Sequence, residues 1–415
     1  MKFKDYNLHP ELLKGIQKAG LKRPTDIQFK SIPHILKGED VLAVAQTGTG
    51  KTAAFAIPIL HQIQVHKQRA RRYDGVHCLV MVPTHELALQ VAEVFNSLGT
   101  HTTVRTLPLI GGVEQEPQIA ALEKGMDILV ATPGRFFDLI AQGHVQPHRI
   151  RTLVLDEADH MLDLGFAKDI SDLHRKLPAK RQTLFFSATI NLRIKKMAYA
   201  LINQQAIRIQ FSPKDPVSKN VDHYVAFVEM DDKRFFLERI LKENPTSKTL
   251  VFVRTKVRAE RVAKAMERVQ LPALTIHSDK EQGARSRALQ QFKKGEVRIL
   301  IATDVSARGI DIPGVAYVIN YDLPEQAEQY VHRVGRTGRG KKRGQALSFC
   351  SPREEDLLQE IEAYLYKPIQ KLDIAHPAYQ NTRLLSDDAG IRLEDMLSEI
   401  ETIEEEKRKK RKKRK

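Results

Sequence analysis

An eight-residue stretch, Ala45-Gln46-Thr47-Gly48-Thr49-Gly50-Lys51-Thr52, constrains this chain more than any other. The apolar run from Val41 to Ala45 leads in as a buried strand, and Thr52 to Ile57 leads out as a helix. Between them, Gly48 and Gly50 let the backbone curl until successive N–H groups converge on phosphate oxygens. The helix start adds the positive end of its dipole. Lys51 would reach the β- and γ-phosphates, and the Thr52 hydroxyl would ligate Mg²⁺. Ala45 stands where the strict pattern has glycine, a departure confined to the strand end. A glycine turn that only links strand to helix is the plainer alternative. Against it, strand, Gly-Lys-Thr and helix fall in the order that phosphate binding requires. These residues imply a nucleoside triphosphate ligand.

At 415 residues the chain exceeds one ordinary core, so two domains plus extensions are expected. Its net charge of +16 includes an unbroken run of nine Lys/Arg at 407–415, which leaves +7 on the body. A basic body favours nucleic acid or another polyanion as partner. The two cysteines, Cys78 and Cys350, lie far apart in apolar runs, which argues for a reducing compartment and against a zinc site. No apolar signal core opens the chain and no stretch is long enough to span a membrane, so a cytoplasmic protein is expected.

Pro10 to Ala19 reads as an amphipathic helix stopped by Gly20. Thr25 and Gln28 fit a helix capping box. The Gln28 amide could instead offer a donor and an acceptor to an adenine edge. From these residues alone the cap is the plainer reading. Strand-like runs then alternate with helical segments at Cys78–Val82, Val104–Ile110, Asp127–Ala131, Thr152–Leu155 and Thr183–Ser187. That alternation predicts an α/β fold with mostly parallel, doubly wound sheets. Pro213 and Pro216 mark a linker. A second series follows at Thr249–Val253, Arg298–Ala302, Ala316–Ile319 and Ala346–Phe349, without a phosphate loop of its own. Lys367 to Asn381 loses periodicity, and Ile391 to Ile403 suggests an acidic amphipathic helix before the basic tail. The expected division is a first domain at 1–210, a linker at 211–220, a second domain at 221–368 and an extension at 369–415.

The apolar strand Thr152–Leu155 ends in Asp156-Glu157-Ala158-Asp159. Open α/β sheets bind ligands at the carboxyl ends of their strands, which would bring Asp156 beside the phosphate loop. One carboxylate there can hold the Mg²⁺ shell while the next orients or deprotonates the attacking water. In isolation, four such residues would more often be a solvated helix start. Downstream of a phosphate loop the catalytic reading prevails.

With these motifs in order, the chain resembles the DEAD-box ATP-dependent RNA helicases over roughly Phe3 to Pro352, most like the bacterial RhlE type. The resemblance implies two RecA-like domains with ATP and Mg²⁺ between them, and local unwinding of short RNA duplexes. Gly20 to Gln28, with Phe3 upstream, is similar to the family's adenine-reading segment at 1–29, which shifts Gln28 toward ligand contact. Asp156 to Asp159 is similar to its name-giving motif. Ser187-Ala188-Thr189 resembles the segment that couples hydrolysis to strand separation, with Asp159 and His332 as further coupling residues. RNA-backbone contacts are implied for Pro83, Thr84, Gly112, Thr132, Pro133 and Arg135 in the first domain. In the second they are implied for Arg254, Gln282, Arg285 and Thr303. The segments from Thr303 to Asp311 and from His332 to Arg339 are similar to the last two family motifs. They imply Gly309 and Asp311 near the nucleotide and Arg336 and Arg339 as arginine fingers on the γ-phosphate. One departure stands out: His85 occupies a place where the family usually has arginine, and that arginine's role is not carried over.

RNA contacts of this kind reach mostly phosphates and 2′-hydroxyls, so single strands and short duplexes with little sequence preference are the expected partners. Ribosomal precursors and RNA-degradation proteins are the partners such an enzyme suggests. The tail at 407–415 reads as a non-specific RNA tether, with a solubilising tail and an import signal as the alternatives. An ATP-gated RNA clamp and a DNA translocase remain alternatives at this point.

Overall fold

The computed structural model describes residues 1–45, 48–69, 75–210, 217, 220–307, 312–338, 343–384 and 386. Gln46, Thr47, Gly309, Asp311 and Arg339 lie outside the described residues. So do most of the linker, the helix expected at 391–403 and the tail at 407–415.

Two seven-stranded sheets organise the rest, and every strand pairing in them is parallel. The first sheet comprises β1 (Val41–Val44), β2 (Cys78–Met81), β3 (Thr106–Leu109), β4 (Ile128–Ala131), β5 (Thr152–Leu155), β6 (Gln182–Ser187) and β7 (Ile207–Gln210). Their spatial order is β3-β4-β2-β5-β6-β1-β7. The second comprises β8 (Val221–Phe227), β9 (Lys248–Phe252), β10 (Ala273–Ile276), β11 (Ile299–Ala302), β12 (Val315–Asn320), β13 (Gly344–Cys350) and β14 (Gln370–Leu372). These run β10-β11-β9-β12-β13-β8-β14.

Each central strand is apolar throughout because helices cover both faces and alternate residues feed two cores. Val41, Ala43, Val80, Val130 and Phe186 belong to one core of the first sheet, and Leu42, Leu79, Leu129 and Phe185 to the other. In the second sheet Leu250, Phe252 and Leu300 face one core, while Val251, Val253 and Ile301 face its opposite.

Four strands gave no clear apolar run in the sequence: β7, β8, β10 and β14. Three of these are sheet edges and β8 lies next to one. An edge strand buries little, and the residues of β14 are all exposed. β14 extends the second sheet beyond residue 368, and the helix His376–Leu384 folds back on the helix Lys233–Glu243. Phe236 stacks near Tyr379, and Arg239 donates to Thr382 Oγ1 at 2.8 Å. The lost periodicity after Lys367 therefore conceals regular structure whose contacts are mostly side-on.

The N-terminal helix Pro10–Lys18 buries Leu12, Gly15 and Ile16. Gly15 lies so close to the end of the helix His85–Leu98 that an added Cβ would sit 1.9 Å from the Leu98 carbonyl oxygen. A backbone oxygen cannot swing away as a side chain can. Gly15→Ala is therefore expected to destabilise the first domain by about 1–3 kcal/mol, despite alanine's better helix propensity. Thermal or urea denaturation would read this, and a more stable variant would contradict it.

Candidate active site

The order of the first sheet sorts its loops. Gly111-Gly112, Thr132-Pro133 and Pro83-Thr84 follow the neighbouring strands β3, β4 and β2. Asp156-Glu157, Ser187-Ala188-Thr189 and the phosphate loop follow β5, β6 and β1. All six emerge at the carboxyl edge, where a parallel sheet binds its ligands. One half of the edge thus holds the candidate RNA contacts and the other half the nucleotide machinery.

In the nucleotide half, Gly48 and Gly50 adopt φ of +81° and +91°. Lys51 opens the helix Lys51–Arg69, is 6% exposed, and its Nζ meets no hydrogen-bond partner among the described residues. Thr52 follows in the same first turn, half-buried. A buried ammonium without a partner is costly, and this one lies among groups suited to a metal-bound polyphosphate. Its charge acts on both Asp156 and Glu157. The donor set, Thr52 hydroxyl and Asp156 carboxylate, fits Mg²⁺, which takes one or two protein oxygens and completes its shell with phosphates and water.

Gln28 does two structural jobs. Its Oε1 accepts from the Thr25 amide at 3.0 Å, closing the cap, and its Nε2 donates to the Gly50 carbonyl at 3.1 Å. Thr25 Oγ1 adds a bond to the Thr49 carbonyl at 2.8 Å. The amide approaches so near that a Cβ on residue 50 would fall 2.5 Å from Gln28 Nε2. Phe3 is buried with Tyr6 and other apolar residues of the same core, so its side chain packs rather than standing open.

Asp156 and Glu157 share one loop yet have opposite acidities. Burial raises Asp156 to about 6 against the pull of Lys51. Burial also pushes Glu157 up, but His160, Lys51 and Arg336 together outweigh it and hold that carboxyl well below its ordinary range. Glu157 sits at φ 52°, ψ 49°, the left-handed region that a non-glycine residue adopts at some cost. This turn sets its side chain differently from that of Asp156. His160 Nδ1 stands 3.7 Å from Glu157 Oε2, longer than an ordinary hydrogen bond.

Asp159 faces the next loop. Its Oδ2 accepts from the Ala188 amide at 3.2 Å, the Thr189 amide at 3.1 Å and the Thr189 hydroxyl at 3.2 Å. Ser187 Oγ is buried without a hydrogen-bond partner among the described residues. Asp159, His160 and Thr189 line a cavity of about 770 Å³ together with Asp304, Gln326, Glu328 and His332 of the second domain. Arg336, 4% exposed, donates from Nε to the His332 carbonyl at 3.0 Å, and its charge is felt by Glu157.

The RNA candidates divide. Thr84 caps the helix His85–Leu98 by accepting from the Leu87 amide, and Pro133 opens the helix Pro133–Ala141 after Thr132. Two helix N-termini on neighbouring loops form an anion-attracting track. Arg135 is buried, with Nη2 on the Val113 carbonyl and Nη1 without a hydrogen-bond partner among the described residues. In the second domain Arg254 is engaged by Glu354 and the Leu323 carbonyl, and the Thr303 amide reaches the Ile276 carbonyl at 3.4 Å. Gln282 and Arg285 instead reach across to the first domain. Arg285 pairs with Glu86 at 2.9 Å, and Gln282 bonds both Glu86 and His85. Glu86, His160 and Arg333, whose Nε and Nη2 clamp Asp304 at 2.6 Å each, were not singled out in the sequence. Their charges look like ordinary helix surface there, and only their burial marks them.

Residues 25–197 match the DEAD/DEAH box helicase family and residues 232–341 the helicase conserved C-terminal domain. A DEAD-box ATP-dependent RNA helicase CshA of Geobacillus kaustophilus is 41% identical over 372 residues, which are 89% of this chain and 78% of that protein. The chain belongs to the DEAD-box helicases. The CshA of Bacillus subtilis is 39% identical over 362 residues, covering 87% of this chain and 72% of its own. Both relatives carry the CshA name, and neither supports the RhlE-type resemblance. Among solved structures, S. cerevisiae Dbp5 bound to RNA and ADP BeF3 superposes with a TM-score of 0.80 at 30% identity, covering 92% of this chain and 99% of that one. DEAD-box helicase Mss116 bound to ssRNA and UDP-BeF gives 0.83 at 27%, covering 95% and 83%. This DEAD-box protein is thus an ATP-dependent RNA helicase built of two RecA-like domains. Among the described residues no helix is long and apolar enough to cross a membrane.

Gln28→Ala should lower the melting temperature, because the amide serves both cap and loop, and the adenine contact expected from the sequence adds a narrowed preference for ATP over GTP. Competitive binding of the two nucleotides tests this. Unchanged selectivity with lowered melting would leave Gln28 as cap and brace alone.

Proposed function

We propose that this helicase hydrolyses ATP in the cleft between its domains and uses closure and reopening to separate short RNA duplexes locally and remodel RNA–protein complexes. The observation that carries the reading is the triple hydrogen bond from Ala188 and Thr189 onto Asp159 Oδ2. It ties the hydrolytic carboxylates to a loop that lines the inter-domain cavity with His332. Movement at the nucleotide is thereby transmitted to the seam between domains.

In this assignment the phosphate loop from Ala45 through Gln46, Thr47, Gly48, Thr49 and Gly50 cradles the phosphates, and Lys51 neutralises them. Thr52 and Asp156 hold Mg²⁺, which when bound neutralises charge on the transferring phosphoryl group. Glu157, ionised at all ordinary pH, orients the attacking water and takes its proton. Arg336, with Arg339 beside it in sequence, places fixed positive charge on the γ-phosphate when the cleft is closed. Gly309 and Asp311 complete the nucleotide contacts from the second domain. Pro83, Thr84, Gly112, Thr132, Pro133 and Arg135 form one side of the RNA track, and Arg254 and Thr303 the other. The basic tail adds a sequence-blind tether. A cytoplasmic site of action, with ribosomal precursors or RNA-decay complexes as substrates, fits this chemistry.

ATP hydrolysis with and without single-stranded RNA tests the reading, and duplex unwinding at two lengths separates a helicase from a static clamp. Glu157→Gln should retain nucleotide binding while turnover falls by roughly two to four orders of magnitude. Wild-type turnover in that variant would remove Glu157 from the mechanism.

Asp156 must be ionised to ligate a metal. Because burial places its free-state titration near 6, a proton competes with Mg²⁺ below that pH. The Mg²⁺ requirement for nucleotide binding should rise about fivefold from pH 6 to pH 5, and Asp156→Asn should flatten that dependence. A requirement independent of pH in the wild type would contradict the assignment.

A further inference from the structure

The seam between domains fixes the hydrogen-bonding character of His85 through a chain of contacts that starts at Arg285. Its guanidinium pairs with Glu86 at 2.9 Å, where Glu86 is 5% exposed. A buried carboxylate so paired is ionised and only accepts hydrogen bonds. Gln282 must therefore turn its Nε2 toward Glu86, at 3.2 Å, since its carbonyl oxygen would be repelled there. That leaves Gln282 Oε1 facing His85 Nδ1 at 3.1 Å. An amide oxygen also only accepts, so Nδ1 carries the hydrogen. In the neutral ring the other nitrogen, Nε2, is then a bare acceptor.

The ring lies against Gly111 and Gly112. Cβ atoms placed there would meet His85 Nε2 and Cε1 at 3.5 and 3.8 Å. Nε2 takes no hydrogen bond among the described residues, and the side chain is half-buried. It stands at the start of the helix capped by Thr84, on the same sheet edge as the loop that opens at Thr132. This is the half of the edge assigned above to the RNA backbone.

A bare nitrogen lone pair discriminates among backbone groups. Phosphate oxygens are acceptors and would be repelled, whereas a ribose 2′-hydroxyl can donate. We propose that His85 reads the sugar, accepting a hydrogen bond from one 2′-hydroxyl at Nε2, and so favours RNA over DNA. The proposal rests on the reading of this edge as the RNA track. An arginine at this position would grip phosphate on either nucleic acid. Gln282 comes from the second domain, so the tautomer is imposed only when the domains meet. Sugar discrimination is thereby coupled to closure.

The test pairs His85→Phe with single 2′-deoxy substitutions scanned along a short RNA, using the full chain and a non-hydrolysable ATP analogue. Wild type should lose about 3- to 10-fold in affinity at one nucleotide, the worth of one neutral hydrogen bond. His85→Phe should lose nothing further there, a non-additive cycle. Gln282→Leu, which frees the tautomer, should reduce the coupling without abolishing binding. His85→Arg should bind RNA and DNA more tightly with a steeper salt dependence. If every deoxy substitution costs the same in wild type and His85→Phe, the side chain only packs over Gly111 and the proposal fails. If wild type weakens on His85→Phe equally for RNA and DNA, the ring is a phosphate contact and the proposal also fails. Wild-type ATPase stimulation by RNA is measured alongside. Its absence would overturn the RNA-track reading, while its presence without coupling would overturn the His85 assignment alone.

Discussion

Parallel strand pairing is the constraint on which the rest of this molecule depends. A parallel sheet sends every strand out at the same edge, and the crossover helices return the chain over the faces. The loops after β1 to β6 therefore converge with no further instruction. The permuted strand order decides which of them become neighbours. The loops carrying the candidate nucleotide residues gather at β5-β6-β1, and two helix starts, the first capped by Thr84, gather beside them at β2 and β4. Residues more than a hundred positions apart, such as Lys51 and Asp156, act on one another for this reason.

Within that edge, unlike environments divide labour among similar side chains. Asp156 and Glu157 are adjacent and both buried, yet one is raised and the other held low. The difference lies in the turn at Glu157, whose left-handed backbone carries its carboxylate toward His160 and the positive charge of Arg336. Asp159 commits one oxygen to the Ser187–Thr189 loop and the other to the His160 amide. Three carboxylates in four residues thus occupy three unlike environments, which is what the proposed roles of metal ligand, base and mechanical link require.

The second domain supplies partners rather than a second catalytic edge. Its own charges are largely consumed internally. Lys233 is fully buried between Glu354 and the carbonyls of Tyr321 and Phe349, and Glu354 in turn holds Arg254. Burying such a cluster stabilises little by itself, because desolvation offsets the attraction. It does hold Arg254 in one place. Among the described residues, the contacts that cross the seam include Arg285 and Gln282 onto Glu86 and His85, and the charge of Arg336 acts on Glu157.

The sequence by itself determined the fold class, the two α/β series and the chemistry of the phosphate loop and the acidic motif. These depend on local patterns: an apolar strand, a glycine curl, a lysine opening a helix. The central strands were legible because burial on both faces leaves an unbroken apolar run. β7, β8, β10 and β14 were not, because at or near a sheet edge burial is partial and polar residues interrupt the pattern. Gln28 illustrates the boundary: its cap was readable from spacing, while its grip on the Gly50 carbonyl required the loop to fold beneath it. Tertiary structure alone decided that Gln282 and Arg285 meet Glu86, nearly two hundred residues away. It alone decided that Asp156 and Glu157 part in acidity. Acidity and tautomer are set by which charges lie within a few ångströms, and that distance is a property of packing, not of order along the chain.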